Sequence, residues 1–278
     1  MRKSSRRVPM IAIILAIFAA AAALWWVFRE DIEQETIRFE RSKRYAAYAA
    51  GLVLPGTPDL GKLDERLAAR GLKPGAPVLI RIFKREFELE LWMQKDGRFQ
   101  RFATYPICRW SGRLGPKLKT GDGQAPEGFY TVGPEQLNPN SRWLRSFNLG
   151  FPNAFDRAYG RTGSFLMVHG GCGSIGCYAM TNGVIMEIWR LVTAALDGGQ
   201  KRFQVQAFPF RMTEANLAAR PTGETTAFWR NLKAGYDLFE KDLVPPKVTV
   251  CGKAYTFAPA DGEADGSAPV EAGCPGKT

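Results

Sequence analysis

One histidine, His169, serves the entire 278-residue chain, and that scarcity removes several kinds of chemistry at once. An H-E-x-x-H zinc site needs two imidazoles and is excluded. No C-x-x-C occurs, so a redox dithiol of that type is absent. There is no G-x-G-x-x-G and no Walker loop, and the Gly-rich segment 111–128 lacks the strand–helix context that phosphate binding needs. The formal net charge is +11, but the Lys and Arg are dispersed, which describes a solvated surface rather than a nucleic-acid groove. No internal repeat and no cofactor signature appears.

What is present is concentrated. His169 stands eight residues before Cys177 in the stretch VHGGCGSIGCYAMT. Thiolate is the nucleophilic form of cysteine, and a nearby imidazole either takes its proton or pairs with it as a cation. Glycines at 170, 171, 173 and 176 allow tight turns that leave a sulfur uncovered, and the amides of Gly176 and Cys177 are placed to face a developing oxyanion. A buried structural thiol is the plainer reading of any one cysteine. The pairing with the lone imidazole favours catalysis. A metal site built from His169, Cys172, Cys177 and Cys108 is the competing reading, but the C-x4-C and H-x2-C spacings match structural zinc patterns poorly, and no metal is expected.

Residues 10–28 form an uncharged apolar run preceded by Arg2, Lys3, Arg6 and Arg7. Its length suits a bilayer core, and the preceding charges stay cytoplasmic, which puts the residues after 28 on the outer side. An Ala-x-Ala cut after Ala23 competes with an uncleaved anchor in the inner membrane. Trp25 and Trp26, which continue the run, favour the anchor. Either fate exports the rest of the chain. In an oxidising compartment the five cysteines, 108, 172, 177, 251 and 274, are compatible with two bridges and one free thiol, although spacing does not give the pairing.

The expected organisation is an N-terminal signal or anchor segment (1–28), a juxtamembrane helix or linker (29–58), a catalytic domain (59–212), a helical extension (213–257) and a disordered tail (258–278). A short helix at about 59–70 ends at Gly71. From Val78 the period changes to two: VLIRIF, FELELWMQ and RFQRFATYPI alternate as half-buried strands do, with Lys95-Asp96-Gly97 as a hairpin turn. FYTV, SFLMVH and FQVQAF read as further strands, the second delivering His169. Thr181 caps a helix over about 182–197, and a second long helix covers about 224–242. The long segment 111–128 is marked as functional by its length and polarity. This is a mainly β arrangement of mixed sheets with α+β elements.

The pattern resembles the L,D-transpeptidase catalytic domain, also called the YkuD domain, in its YafK-like branch. His169-Gly170 followed by Ser174-Ile175-Gly176-Cys177 carries the resemblance, together with GPKLKTGDGQAPEGFYTV at 115–132, YPICRWSG, QLNPNSRW and FNLGFPNAFDRAYGRTGS. It covers about residues 65–212. Many family members place a second histidine beside the cysteine, where this chain has Ile175. The resemblance implies a β-sandwich of mixed sheets with a helix after the Cys loop. It also implies peptidoglycan stem peptides containing meso-diaminopimelate as substrate, with Cys177 as nucleophile and His169 as base. In that scheme the Gly170 carbonyl orients the imidazole, Ser174 supports the loop, and Gly176 and Cys177 hold the oxyanion. Resolution of the thioester by an amine or by water, or release of an envelope lipoprotein from peptidoglycan, would proceed from the same intermediate, in the periplasm. Cys172 lacks the Ser-x-Gly context and reads as structural or disulfide-bonded, with Cys108 a possible neighbour.

Overall fold

The computed structural model describes residues 10–260 and 266–274. The basic residues at positions 2, 3, 6 and 7 lie outside the described residues. The chain forms two compact units that divide after Lys43. Helix α1, Met10–Ala49, is continuous through residue 28, where separate anchor and linker segments were expected to meet. Ala and Leu favour helix in its apolar first half, and charged residues with local pairs such as Glu35–Arg38, 2.8 Å, continue it. Among the described residues no helix is long and apolar enough to cross a membrane, the side chains of residues 22, 23 and 26 lying outside them.

In the second unit, Asp59 Oδ1 accepts the Gly61 amide at 3.1 Å, opening a 3-10 turn that leads into α2 (Leu63–Ala68). Leu63 and Leu67 are buried one turn apart, and Gly71 ends the segment in the left-handed region, φ +62°. Strands β1 (Val78–Phe83), β2 (Glu88–Lys95) and β3 (Arg98–Pro106) form a meander. Its second turn places Asp96 and Gly97 at φ +52° and +80°, the left-handed pair that a two-residue hairpin demands. Next come β4 (Arg109–Trp110), β5 (Gly128–Val132), β6 (Leu137–Asn138), β7 (Ser146–Asn148), α3 (Ala154–Ala158), β8 (Met167–His169), β9 (Tyr178–Ala179), α4 (Asn182–Asp197) and β10 (Phe203–Phe208). The chain closes with α5 (Glu214–Ala218), α6 (Glu224–Asp242), β11 (Lys247–Cys251), β12 (Ala254–Ala258) and β13 (Glu271–Ala272).

Two five-stranded mixed sheets result, ordered β3-β2-β1-β10-β5 and β4-β9-β8-β7-β6. This is the mixed-sheet architecture that the sequence implied, with α4 following the Cys loop. A third sheet, β12-β11-β13, was not foreseen. Within the tail expected to be disordered over 258–278, the described residues 266–274 are instead tied to this sheet. β13 pairs in parallel with β11, Val270 is buried, and Cys274 is bonded to Cys251.

The alternating pattern of β1 suggested a strand with one solvated face, yet all six residues of β1, and all six of β10, are buried. The C-terminal helix is the reason. Phe239 of α6 meets Trp92 edge-on at 5.1 Å, and Tyr236 meets Phe208 at 5.3 Å. Arg81 is sealed under α6 with its guanidinium 4.2 Å from the Tyr236 ring and Nη1 2.5 Å from Glu240 Oε1. A large aromatic and aliphatic core, including Phe83, Phe129, Phe208, Trp229 and Tyr255, joins the first sheet to the C-terminal elements. Each such side chain contributes about 1.5–3 kcal/mol on burial, so residues 213–257 are part of the domain's core rather than an appendage.

Candidate active site

β8 and β9 run parallel, with Val168 opposite Tyr178 and His169 opposite Ala179. Paired residues in a parallel ladder project to the same face, and faces alternate along each strand. Cys177 immediately precedes β9, two residues before Ala179, the partner of His169 in the ladder. Its position is fixed locally: Met167 N–H donates to Cys177 Sγ at 3.4 Å, and the thiol lies 3.6 Å from the Phe165 carbonyl oxygen. The thiol is thereby held against the backbone of β8, the strand that ends in His169. Among the described residues no hydrogen bond joins the thiol and the imidazole directly.

The imidazole is buried. Its Nδ1 lies 2.6 Å from the Gly170 carbonyl oxygen, which requires Nδ1 to carry the proton and leaves Nε2 with its lone pair. The Trp143 ring stacks on the imidazole, centroids 5.7 Å apart and 27° between planes. Gly170 is obligatory on packing grounds. A Cβ there would come within 2.8 Å of the Trp143 carbonyl oxygen and 2.9 Å of Ile185 Cγ2. Burial pushes the His169 pKa down, with the positive charge of Arg142 adding to the shift and the Gly170 carbonyl opposing it. Burial pushes the Cys177 thiol up, against the Met167 amide and the Lys117 charge. Both shifts favour the uncharged forms, so the resting pair is thiol and neutral imidazole.

Ser174 is bonded twice across the turn. Its Oγ donates to the Cys177 carbonyl at 2.6 Å and accepts the Cys177 amide at 3.1 Å. The Gly176 amide donates to Ser111 Oγ at 2.5 Å, so both amides given to the oxyanion are occupied by serine hydroxyls. The two hydroxyls lie 3.2 Å apart and form a small network under the turn. Gly176 has φ +97°, a conformation that other residues rarely adopt.

Sequence reasoning missed Ser111, Trp143, Arg142 and Lys117. Ser111 and Lys117 fall within the segment 111–128, which its length and polarity mark, but nothing in one sequence places the Ser111 hydroxyl under Gly176. That segment is anchored from below. Lys84 and Glu127 are fully buried and paired at 2.8 Å. Glu127 also accepts from the Gly115 amide and from Trp229 Nε1, each at 2.8 Å. Lys117 and the amides of residues 118, 119 and 124 bond Asp122. Against the effect of burial, they hold its carboxyl down at about 2.

Among the described residues, which include all five cysteines, Cys177 is the free one. Cys108 is bonded to Cys172, Cα atoms 5.3 Å apart, and Cys251 to Cys274. Cys172 therefore staples the His–Cys loop to the β3–β4 junction, and neither Cys108 nor Cys172 is available as a metal ligand in this state.

The chain is 50% identical over 184 residues to the protein of Escherichia coli (strain K12) named "Putative L,D-transpeptidase YafK", covering 66% of this chain and 75% of that one. The chain belongs to the L,D-transpeptidase family, in its YafK-like branch. The protein of the same name from Escherichia coli O157:H7 matches equally. No known family profile matches the chain. Among solved structures, the helical cell shape determining protein Pgp2 of Campylobacter jejuni is similar at a TM-score of 0.39 and 20% identity, covering 66% of this chain and 65% of that one. Bd1075 of Bdellovibrio bacteriovorus is similar at a TM-score of 0.35 and 16% identity, covering 60% and 71%.

Proposed function

We propose that this protein is a cysteine-dependent acyl transferase acting on peptidoglycan stem peptides that contain meso-diaminopimelate. The observation that carries the reading is the unbonded thiol, Cys177, bonded to the Met167 amide on the strand that ends in His169, whose Nδ1 is held by the Gly170 carbonyl. Because the resting pair is neutral, attack begins from the thiol. Sγ adds to the carbonyl carbon of the L,D bond while His169 Nε2 takes the thiol proton. Collapse of the tetrahedral intermediate breaks the C–N bond, and His169 returns the proton to the departing amine of the terminal D-residue. A thioester on Cys177 remains. An acceptor amine then attacks it, His169 again taking a proton, or water does so in a hydrolytic variant.

The Gly176 and Cys177 amides are assigned to the oxyanion. For this they exchange their serine hydroxyls for a charged acceptor, which makes the stronger hydrogen bond. Ser111 and Ser174 hold the amides in place until then. Release of an envelope lipoprotein from peptidoglycan would use the same thioester, with the lipoprotein's terminal residue as leaving group.

The place of action proposed is the periplasm, with residues 10–28 tethering the protein to the inner membrane. Four disulfide-bonded cysteines accord with an oxidising compartment. The test is incubation of the full chain with tetrapeptide-bearing muropeptides and with lipoprotein-linked peptidoglycan, read by mass spectrometry. Loss of the terminal D-residue and a mass adduct on Cys177 are expected. Unchanged substrates with a wild-type enzyme, or unchanged turnover in Cys177→Ala, would overturn the reading.

A further inference from the structure

In the proposed reaction the S–H bond of Cys177 breaks, its electron pair forms the bond to the acyl carbon, and the proton passes to His169 Nε2. The imidazole then carries a full positive charge in a buried position. A Ser-His-Asp triad meets that charge with a carboxylate. Here, among the described residues, no carboxylate is bonded to the imidazole, and its Nδ1 meets the neutral Gly170 carbonyl at 2.6 Å. The charged side chain that acts on it is Arg142, which, like burial, works against protonation. An imidazolium at this position therefore needs a stabilising partner other than an anion.

Trp143 stands where such a partner is needed. Its ring centroid is 5.7 Å from that of the imidazole, with 27° between the planes. A cation within about 6 Å of an aromatic centroid is attracted to the ring face, and indole attracts it most. The backbone holds the ring in place. The Trp143 carbonyl accepts the amides of Gly170 and Arg145, each at 3.1 Å, and the Trp143 amide donates to Ser141 Oγ at 3.2 Å. Leu144 follows at φ +77°, a left-handed conformation unfavourable for a residue with a side chain. The His–Cys loop makes room for the indole. A Cβ on Gly171 would stand 2.6 Å from Trp143 Cε3, and one on Gly173 would stand 3.6 Å from Cη2. Glycine at 171 is what lets the indole lie across the loop and reach His169.

We propose that Trp143 is a positioning residue that stabilises the imidazolium form of His169 through the face of its indole, the part a carboxylate plays in a triad. The effect is differential. A neutral imidazole gains only ring contact, whereas the cation gains the electrostatic attraction as well, so the interaction strengthens as the proton arrives. Arg142, 5.1 Å from the same indole, is the opposing charge. From α4, Ile185 and Asn182 approach Gly170, and neither titrates; Lys117 acts on the Cys177 thiol instead. The consequence for catalysis rests on the proposed function; the effect on the proton affinity of the imidazole does not.

His169 is the one histidine of the chain, so NMR of the full chain carrying 15N-labelled histidine follows its titration directly. Trp143→Phe and Trp143→Leu keep an apolar cover over the imidazole while weakening and then removing the aromatic face. The His169 midpoint is expected to fall in the order Trp, Phe, Leu, by about one pH unit across the series, a tenfold change in proton affinity. The kcat for release of the terminal D-residue should fall in the same order, by about tenfold at Leu. A side chain that only shields the imidazole gives the opposite sign, because a thinner cover admits water and raises the midpoint. Midpoints that rise or stay unchanged would overturn the proposal, and the Trp and Phe proteins decide the sign by themselves if the Leu variant does not fold. Midpoints that fall in this order without any turnover of stem peptides would leave the indole–imidazolium contact standing and remove the proposed function. Turnover with midpoints out of order would do the reverse.

Discussion

Replacing Gly170 by alanine tests the arrangement of the imidazole at its narrowest point. The new methyl would sit 2.8 Å from the Trp143 carbonyl oxygen, 2.9 Å from Ile185 Cγ2 and 3.0 Å from Asn182 Oδ1. The first of these is backbone and the second belongs to α4, so the loop itself must move by a few tenths of an ångström or more. Overpacking of this kind lowers stability by about 1–3 kcal/mol. For a domain of this size each kcal/mol shifts Tm by about 2–4 °C. The same movement displaces the Gly170 carbonyl that fixes Nδ1. A misplacement on the order of 1 Å reduces a rate by about 100-fold, equivalent to about 2.7 kcal/mol in the barrier at 1.36 kcal/mol per decade. The expected result is a folded protein with a lowered Tm and with kcat for release of the terminal D-residue down by about two decades. KM should change little, because this carbonyl holds the imidazole and not the substrate. Turnover and thermal melts on Gly170→Ala decide it. A variant that melts lower yet keeps kcat within threefold of wild type would refute the idea that this carbonyl positions the base.

Three further outcomes are set by the geometry. Since burial raises the Cys177 pKa and lowers that of His169, iodoacetamide labelling of the free enzyme should be slow at pH 7–8 and climb only above the ordinary thiol range near 9. The acid limb of turnover should fall below 6.5, because a depressed imidazole stays neutral down to lower pH, and His169→Gln should abolish that limb; rapid labelling at pH 7 would contradict a neutral pair. Replacing both Cys108 and Cys172 by alanine opens a loop with a 64-residue separation, a loss of about 4 kcal/mol in the chain-entropy account, readable by urea denaturation as a lowered midpoint. Lys84→Met would leave Glu127 buried without its cation and should destabilise by about 3–5 kcal/mol, so a variant as stable as wild type would show that the buried pair does not anchor the segment 111–128.

The sequence alone determined the local features whose causes are local. The alternation of β1–β3, the Asp96-Gly97 turn, the amphipathic spacing of α4 and α6, and the glycines around Cys177 are all set by neighbours in the chain, and each appears where the pattern put it. Tertiary structure decided what depends on distant segments. The half-buried look of β1 gave way to full burial because α6, some 140 residues later, covers it and turns Arg81 inward. Residues 266–274 are ordered by β13 and the Cys251–Cys274 bond, neither legible in a stretch rich in Gly, Ala and Pro. The occupied amides of Gly176 and Cys177 belong to the same class. One of their two partners, Ser111, stands 65 residues away in sequence, and a hydrogen bond across that separation leaves no periodicity or spacing to read.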